Sequence, residues 1–200
     1  MTRHSLEPPG CGSAQPGGEA PPFSDARAKP CNGARTSAGK CCGLCSSAGG
    51  LSAIDWTWAP FDAIPTRLLY DALRLRQDIF IVEQNVPYPD IDSRDLVAKH
   101  LFAVRDGELV GYLRALPSGI FAPGYLSFGR VVVAESLRGL GLGRQLVARC
   151  MAHFDGMPNR PPIKISSQLY LKDFYASFDF HPVGEPYIED RIPHIAMVRE

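Results

Sequence analysis

The residues of this chain with the clearest potential for chemistry lie between positions 138 and 144. Arg138, Gly141 and Gly143 are spaced as R-x-x-G-x-G, after an apolar run that ends in Val131-Val132-Val133. The pattern indicates a strand that leads through a glycine-rich turn into a helix. The first N–H groups of a helix lack partners and carry partial positive charge, and glycine lets a ligand approach the backbone without a Cβ in the way. We therefore predict a phosphate-binding turn made of Arg138, Gly139, Leu140, Gly141, Leu142, Gly143 and Arg144.

Other phosphate-binding motifs fit this turn less well. A Walker loop would end in Gly-Lys-Ser or Gly-Lys-Thr, whereas Gly143 is followed by Arg144 and Gln145. A dinucleotide-binding fingerprint needs G-x-G-x-x-G and an acidic residue about 20 positions later. The spacing here is G-x-G-x-G, and the segment near Ile163 has no carboxylate. A glycine-rich loop without any ligand stays open as a further alternative.

The periodicity of apolar residues predicts the elements that must position this turn. Alternation predicts a strand over residues 54–58, and helical spacing predicts a helix from Pro65 to about Phe80, followed by a loop over 85–95. Asp106-Gly107 indicates a two-residue hairpin. Further strands are predicted over 101–105, 108–116, 125–133, 163–166, 180–184 and 195–198, with helices over 141–154 and 171–178. This order predicts a mixed sheet with helices on its faces.

Beyond the turn, residues 56–200 resemble a known family of enzymes. Matching segments include Val82-Glu83-Gln84-Asn85, Asp90-Ile91-Asp92, Gly129-Arg130-Val131, Phe174-Tyr175 and Ile192-Pro193-His194. With R-x-x-G-x-G between a long central strand and the next helix, the chain is similar to the ElaA-like branch of the GNAT superfamily. The resemblance implies an α/β fold, with a GNAT-like mixed, mostly antiparallel central sheet flanked by helices.

The resemblance also implies a reaction. In GNAT enzymes a bound amine attacks the thioester of an acyl-CoA. We therefore expect an N-acetyltransferase that moves an acetyl (or other acyl) group from acetyl-CoA, its co-substrate, to a primary amine of a small-molecule or peptide acceptor. The R-x-x-G-x-G turn would hold the coenzyme A pyrophosphate. Two other functions stay open: a non-catalytic module that senses acyl-CoA, and an interaction protein that acts through its N-terminal tail.

Individual roles follow from the same resemblance. Backbone groups of Val131, Val132 and Val133 would hold the pantetheine arm, and an N–H near Val132 would stabilise the oxyanion of the transition state. Tyr175 would give a proton to the departing thiolate. A tyrosine that only packs on a helix face, with its hydroxyl hydrogen-bonded, is the alternative for Tyr175.

The base that takes a proton from the amine is the least determined role. Glu83 is the candidate, because it follows an apolar helix and faces a proline-rich loop of the kind that often carries substrate sites. Where the family tends to have Ala-Gln-Ala-His, this chain has Ser167-Gln168-Leu169-Tyr170, so the histidine of that pattern is missing. Alternatives for the base are Glu189, Asp190, His100 and His194.

The first 50 residues differ in composition from the rest. They contain nine Gly, six Pro and five of the six cysteines, but few large apolar side chains. Such a segment cannot bury enough surface to offset the entropy of ordering it. We predict a disordered tail over residues 1–50 and a GNAT domain over 51–200. Cys41-Cys42-x-x-Cys45 has no nearby histidine or second pair, so no metal site is predicted.

Charge and hydropathy limit the partners. The chain has 21 basic and 21 acidic residues, which gives no strong field toward nucleic acid or a membrane surface. No apolar run approaches the ~18 residues that a membrane span requires. We expect a cytoplasmic protein with neither nucleic acid nor membrane as a partner, and a homodimer is a candidate assembly.

Overall fold

The computed structural model describes residues 53–200. The predicted tail over residues 1–50, with its cysteines and its boundary at residue 51, lies outside the described residues, so the tail and its boundary stay predictions.

Four antiparallel strands form the first sheet, in the order β1-β2-β3-β4. Their bounds are Asp55–Pro60, Lys99–Arg105, Glu108–Leu116 and Ser127–Val133. The β2–β3 hairpin closes at Asp106 and Gly107, whose φ angles of 53° and 81° are both positive. A two-residue turn of this kind matches the right-handed twist of the flanking strands. The predicted hairpin is therefore confirmed.

Three strands form the second sheet, in the order β5-β7-β6, again with antiparallel pairs. Their bounds are Ile163–Gln168 for β5, His181–Glu189 for β6 and Ile192–Arg199 for β7. A parallel bridge between Leu126 and Ile163 joins the two sheets where β4 and β5 begin. Beyond it the two strands belong to different sheets, so a gap opens between their facing edges. The predicted fold class, a mostly antiparallel sheet flanked by helices, is confirmed.

The helices are α1 over Thr66–Arg76, α2 over Leu142–Asp155 and the short α3 over Lys172–Ala176. After α1 the chain continues as a π-helix over Gln77–Glu83, in which Gln84 N donates to Ile79 O at 3.1 Å. Single 3₁₀ turns lie at Phe61–Ala63, Arg94–Val97, Glu135–Leu137 and Leu169–Leu171. None of the helices in the described part of the chain is long and apolar enough to cross a membrane.

Strand alternation divides the core into two layers. On one face of the first sheet, Leu101 and Leu113 are fully buried with Leu146 of α2. On the other face, Phe102 and Tyr112 pack with Ala72 of α1. Helices thus cover both faces of the sheet and hold β4 and the beginning of α2 in a fixed relation.

Candidate active site

A cavity of about 500 Å³ lies in the gap between β4 and β5. Its volume is within the range of small-molecule sites. The end of the π-helix and the β6–β7 hairpin complete its wall. Of the residues predicted from sequence, the wall contains Glu83, Val131, Val132, Val133, Arg138, Gly143 and Tyr175. Gly139, Leu140, Gly141, Leu142 and Arg144 lie beside it rather than in its wall.

The beginning of α2 presents backbone N–H groups at one end of this cavity. Gly141, the N-cap, has a φ of 81°, a left-handed conformation that favours glycine. The first helical hydrogen bond runs from Gln145 N to Gly141 O at 3.1 Å. The N–H groups of Leu142, Gly143 and Arg144 therefore have no helical acceptor. Leu142 anchors the turn, since its side chain is buried in the core.

Gly143 keeps the approach to these N–H groups open. A Cβ built at Gly143 would meet only Val133 Cγ2, at 3.8 Å. A side chain at this position would therefore fit against the protein but would extend into space that an anion needs. The turn thus leaves its unpaired N–H groups open to approach, and its role as a phosphate site stays a prediction.

Arg138 and Glu83 form an ion pair across the cavity wall. Arg138 Nη1 and Nη2 donate to the two carboxylate oxygens of Glu83, both at 2.7 Å. Arg138 Nε also donates to Val133 O at 3.2 Å, so the guanidinium lies over the end of β4. The hydrogen bonds from Arg138 lower the pKa of Glu83. Glu83, the predicted base, thus contacts Arg138, a predicted phosphate ligand. Their side chains are 49% and 39% exposed, respectively.

Arg144 has a different surrounding from Arg138. Its guanidinium lies over the rings of Phe174 and Phe178, at 5.7 Å and 5.1 Å from their centroids. Nη2 donates to Ser177 Oγ at 3.0 Å. Arg144 thus ties the first turn of α2 to α3, in addition to any contribution of its charge to anion binding.

The middle of β4 carries a bulge. Val132 lies opposite Tyr112 and Gly129 opposite Arg114, so Arg130 and Val131 together face Leu113. Arg130 has a φ of 51°. Bulges of this kind interrupt the ladder and redirect backbone groups, and they are frequent next to active sites. The bulge lies directly before Val132, whose N–H is the predicted oxyanion donor.

Tyr175 lines the cavity with 8% of its surface exposed. Its ring packs against Phe128 and Phe180, with centroids 5.9 Å and 6.2 Å away. Within residues 53–200 its hydroxyl has no hydrogen-bond partner. Burial raises the pKa of Tyr175, so the hydroxyl keeps its proton at neutral pH. Tyr175 therefore brings to the cavity wall a neutral, unpaired hydroxyl that is available to donate.

Three arginines and three aspartates form a largely buried network that we call the arginine–aspartate network: Arg76, Arg114 and Arg130 with Asp90, Asp92 and Asp95. Arg76 donates to Asp90 and to Asp95, both at 2.9 Å. Arg114 Nη1 donates to Asp92 at 2.6 Å and to Asp95 at 3.1 Å. The network fixes the predicted loop over 85–95 against β3 and β4.

Sequence reasoning missed this network, although signals for it exist. Arg76 follows Ala72 by four positions and so lies on the buried face of α1. Arg114 lies within an apolar run of β3 that is buried throughout. A charged residue at such a position requires partners, and the loop supplies three aspartates.

His100 belongs to the same buried region. Its Nε2 donates to Asp95 O at 2.9 Å, so its Nδ1 accepts a hydrogen bond from the Tyr112 hydroxyl at 2.7 Å. Burial lowers the pKa of His100 and favours the neutral ring. Both nitrogens have protein partners, which leaves neither of them free for an acceptor amine.

The described residues contain no cluster of His, Cys, Asp and Glu that could hold a metal ion.

Comparisons with known proteins identify this arrangement. The family of acetyltransferase (GNAT) domains matches residues 83–200. Protein ElaA of Escherichia coli (strain K12) is 40% identical over 153 residues, which cover 74% of this chain and 97% of that protein. A crystal structure of Escherichia coli ElaA is 39% identical with a TM-score of 0.68, and covers 74% of this chain and all of that one. An acyl-CoA N-acyltransferase from Pseudomonas aeruginosa is also 39% identical over the same shares, with a TM-score of 0.70.

The protein thus has two sheets separated by a gap and a glycine-rich turn that begins a helix beside this gap. With these similarities, the arrangement is that of an acyl-CoA-dependent N-acyltransferase. Within that class, the chain belongs to the GNAT superfamily and to its ElaA-like branch. Both the family and the enzyme class predicted from the sequence are confirmed.

Proposed function

We propose that this protein transfers an acetyl group from acetyl-CoA to a primary amine of a small molecule or peptide. The observation that carries the proposal is the junction of β4 and α2. There a bulged strand with a free edge leads into a helix start with three N–H groups that lack helical acceptors. This geometry supports a pyrophosphate at Leu142 to Arg144 and a pantetheine arm along Val131 to Val133.

The chemistry would then proceed by direct attack. The amine nitrogen forms a bond to the thioester carbon, and the N–H near Val132 stabilises the oxyanion. The C–S bond breaks, and Tyr175 gives its proton to the CoA thiolate. Because burial raises the pKa of Tyr175, its phenolate is costly to form and must regain a proton promptly. The attacking nitrogen, which must lose a proton to become an amide, can supply it.

Glu83 stays the sequence-based candidate for the base. In the structure its two carboxylate oxygens are held by Arg138. A role as base requires this pair to open, and a pyrophosphate bound at the α2 turn offers Arg138 an alternative partner. Acetyl-CoA as the co-substrate, the homodimer and the cytoplasmic location also stay sequence-based predictions.

The proposal is tested by Gly143→Val with Gly156→Val as a matched control. Both glycines lie at ends of α2, but only Gly143 lines the cavity. We expect Gly143→Val to weaken CoA binding by about 100-fold or more, which is ~2.7 kcal/mol, and Gly156→Val to leave it unchanged. Calorimetric titration with CoA measures this. Equal affinity for CoA in both folded variants would contradict the assignment of the α2 turn as the pyrophosphate site.

Turnover is measured separately as thiol release from acetyl-CoA with a panel of primary amines. Release that depends on the amine supports an acetyltransferase. Tight CoA binding without release from any amine would instead identify a module that senses acyl-CoA.

A further inference from the structure

The second sheet presents a polar face to the cavity. Gln168 of β5 lies opposite His194 of β7, and His194 lies opposite Tyr187 of β6. Residues directly opposite each other in a sheet project from the same face. The alternate residues of β7, Ile195 and Met197, are buried in the core. Strand alternation therefore places His194 on the face of the sheet away from that core, and it lines the cavity.

A hydrogen bond to the backbone fixes the tautomer of the neutral His194 ring. Its Nδ1 lies 2.8 Å from Ile192 O. A carbonyl oxygen can only accept, so Nδ1 carries the hydrogen, and in the neutral ring Nε2 carries the lone pair. Within residues 53–200, Nε2 has no hydrogen-bond partner. His194 thus offers the cavity an imidazole nitrogen that can accept a proton.

Beside His194, a chain of hydrogen bonds ends on a carboxylate. Ser166 Oγ donates to Glu189 Oε2 at 2.7 Å and lies 2.7 Å from the Tyr187 hydroxyl. Because Ser166 has a single hydroxyl hydrogen, Tyr187 must donate to Ser166. The ring of Tyr187 stacks on that of His194, with centroids 6.2 Å apart and planes 24° apart. These bonds hold Glu189 in place on the same wall as His194.

Glu189 has no cationic partner in the described part of the chain, although it lines the cavity. Its Oε1 is free to accept a hydrogen bond. Glu83, by comparison, has both oxygens on Arg138, and His100 has both nitrogens on protein groups. Among the described residues, His194 and Glu189 line the cavity without such partners, as does Asp190 in the hairpin turn, but of these three only His194 has an imidazole nitrogen.

We propose that His194 Nε2 removes the first proton from the acceptor ammonium, with the Glu189 carboxylate as the counter-charge that holds it. The inference rests on the proposed acetyl transfer. The ammonium gives one proton to His194, which passes it to solvent. The free amine then attacks the thioester, the C–S bond breaks and Tyr175 protonates the thiolate. The second proton lost by nitrogen returns to Tyr175, so that one proton is released per amide formed.

The test compares His194→Asn with the native protein and with His153→Asn. Asparagine keeps a side-chain N–H near the position of Nδ1, so the bond to Ile192 O can persist while the lone pair of Nε2 is lost. His153 lies on α2 with its ring 4.7 Å from that of Trp58, outside the cavity wall. Thiol release is followed with acetyl-CoA and whichever of benzylamine, tyramine and spermidine the native protein acetylates fastest.

At pH 7 we expect His194→Asn to lower kcat/KM by about 100-fold or more, the usual contribution of a general base. The affinity for CoA should not change, and His153→Asn should match the native protein. The loss should shrink toward pH 10, because the solution then supplies free amine. Added imidazole should partly restore the rate of His194→Ala.

The groups facing His194 are Tyr187 and Glu189 on β6 and Gln168 on β5, with Asp190 in the hairpin turn, and none of them changes in these variants.

Three results of these activity assays would overturn the inference. One is a loss in His194→Asn that stays constant from pH 7 to pH 10, as a structural role would give. Another is a native rate in His194→Asn with a large loss in Glu83→Gln, which would assign the base to Glu83. The third is a native protein that binds CoA but acetylates none of the amines, which removes the proposed acetyl transfer as well.

The tautomer of His194 gives a check that needs no variant to be active. In ¹⁵N-histidine-labelled native protein, the neutral ring should show a protonated Nδ1 and an unprotonated Nε2. The signal is assigned by its disappearance in His194→Asn. A protonated Nε2 in the neutral ring would overturn the inference.

Discussion

Charged side chains on the two sides of the cavity differ in their exposure and in their partners. On the side of the loop over 85–95, Arg76 and Arg114 are 1% and 3% exposed and are held by three aspartates. On the side of the α2 turn, Arg138 is 39% exposed and its carboxylate partner is Glu83. Buried charges need partners at all times because water cannot replace them. An exposed pair can exchange its partner at small cost. The first side therefore suits a fixed wall and the second a ligand-binding edge.

The largest expected effect comes from removing one arginine of the arginine–aspartate network. Arg76 does not line the cavity, so its replacement tests the fixed wall without touching the ligand site. Arg76→Ala leaves Asp90 and Asp95 buried without that cation, and we expect a loss of about 3–5 kcal/mol in the free energy of unfolding. Urea unfolding followed by circular dichroism measures it. A loss below about 1 kcal/mol would show that the network stabilises the fold no more than a surface ion pair does.

Tyr175 gives the next largest effect, and it should appear in catalysis rather than in stability. Tyr175→Phe removes a hydroxyl that has no partner among residues 53–200, so the free energy of unfolding should change by less than about 1 kcal/mol. Turnover should fall by about 100-fold or more, with CoA affinity unchanged. Single-turnover kinetics on the folded variant measures the chemical step. A wild-type rate would remove Tyr175 from the mechanism.

A smaller effect is expected from the exposed pair. Glu83→Gln releases Arg138 from its carboxylate partner, so less interaction must be broken when a pyrophosphate binds. Since exposed pairs contribute at most about 1 kcal/mol, CoA should bind up to about 5-fold more tightly. Calorimetric titration measures this, with Arg138→Ala as the matched variant that should weaken binding. Weaker CoA binding in Glu83→Gln would show that the pair prepares the site and does not compete with the ligand.

The smallest effect is a pH dependence of the same pair. Arg138 lowers the pKa of Glu83 below its ordinary value of 4.5 in the folded state. The contribution of the pair is therefore complete above pH 4.5 and declines as the pH falls through the folded-state pKa. The difference in unfolding free energy between the native protein and Glu83→Gln should be constant from pH 7 to about 5.5 and shrink as the pH falls further. A difference that shrinks already near pH 6 would contradict the assignment to Glu83.

Much of the fold follows from local patterns in the sequence. Asp106-Gly107 specified the hairpin because a two-residue turn needs positive φ. The spacing of Arg138, Gly141 and Gly143 marked the strand–turn–helix junction because each glycine has a local backbone reason to be there. The strand and helix order followed from apolar periods of 2 and 3.6 residues, which depend only on near neighbours.

Other features were decided by tertiary contacts. Periodicity predicted a single helix to about Phe80, whereas the structure has a π-helix over Gln77–Glu83. In this segment Ile79, Phe80, Glu83 and Gln84 all line the cavity. Sequence reasoning also gave one central sheet and did not predict that β4 and β5 would separate. Their separation depends on pairings between strands far apart in the chain, which no local window contains.

The sequence by itself thus determined the glycine-rich strand–turn–helix junction, the hairpin, the element order and the resemblance that identified the family. The tertiary structure alone decided which partner each polar side chain has. In the sequence, Glu83 is the candidate for the base, and Glu189, Asp190, His100 and His194 are its alternatives. In the fold, Arg138 binds both oxygens of Glu83, and buried groups bind both nitrogens of His100. His194 lines the cavity, and its Nε2 has no partner among residues 53–200. Side-chain chemistry is local, but whether a lone pair is free depends on residues that the fold brings from elsewhere in the chain.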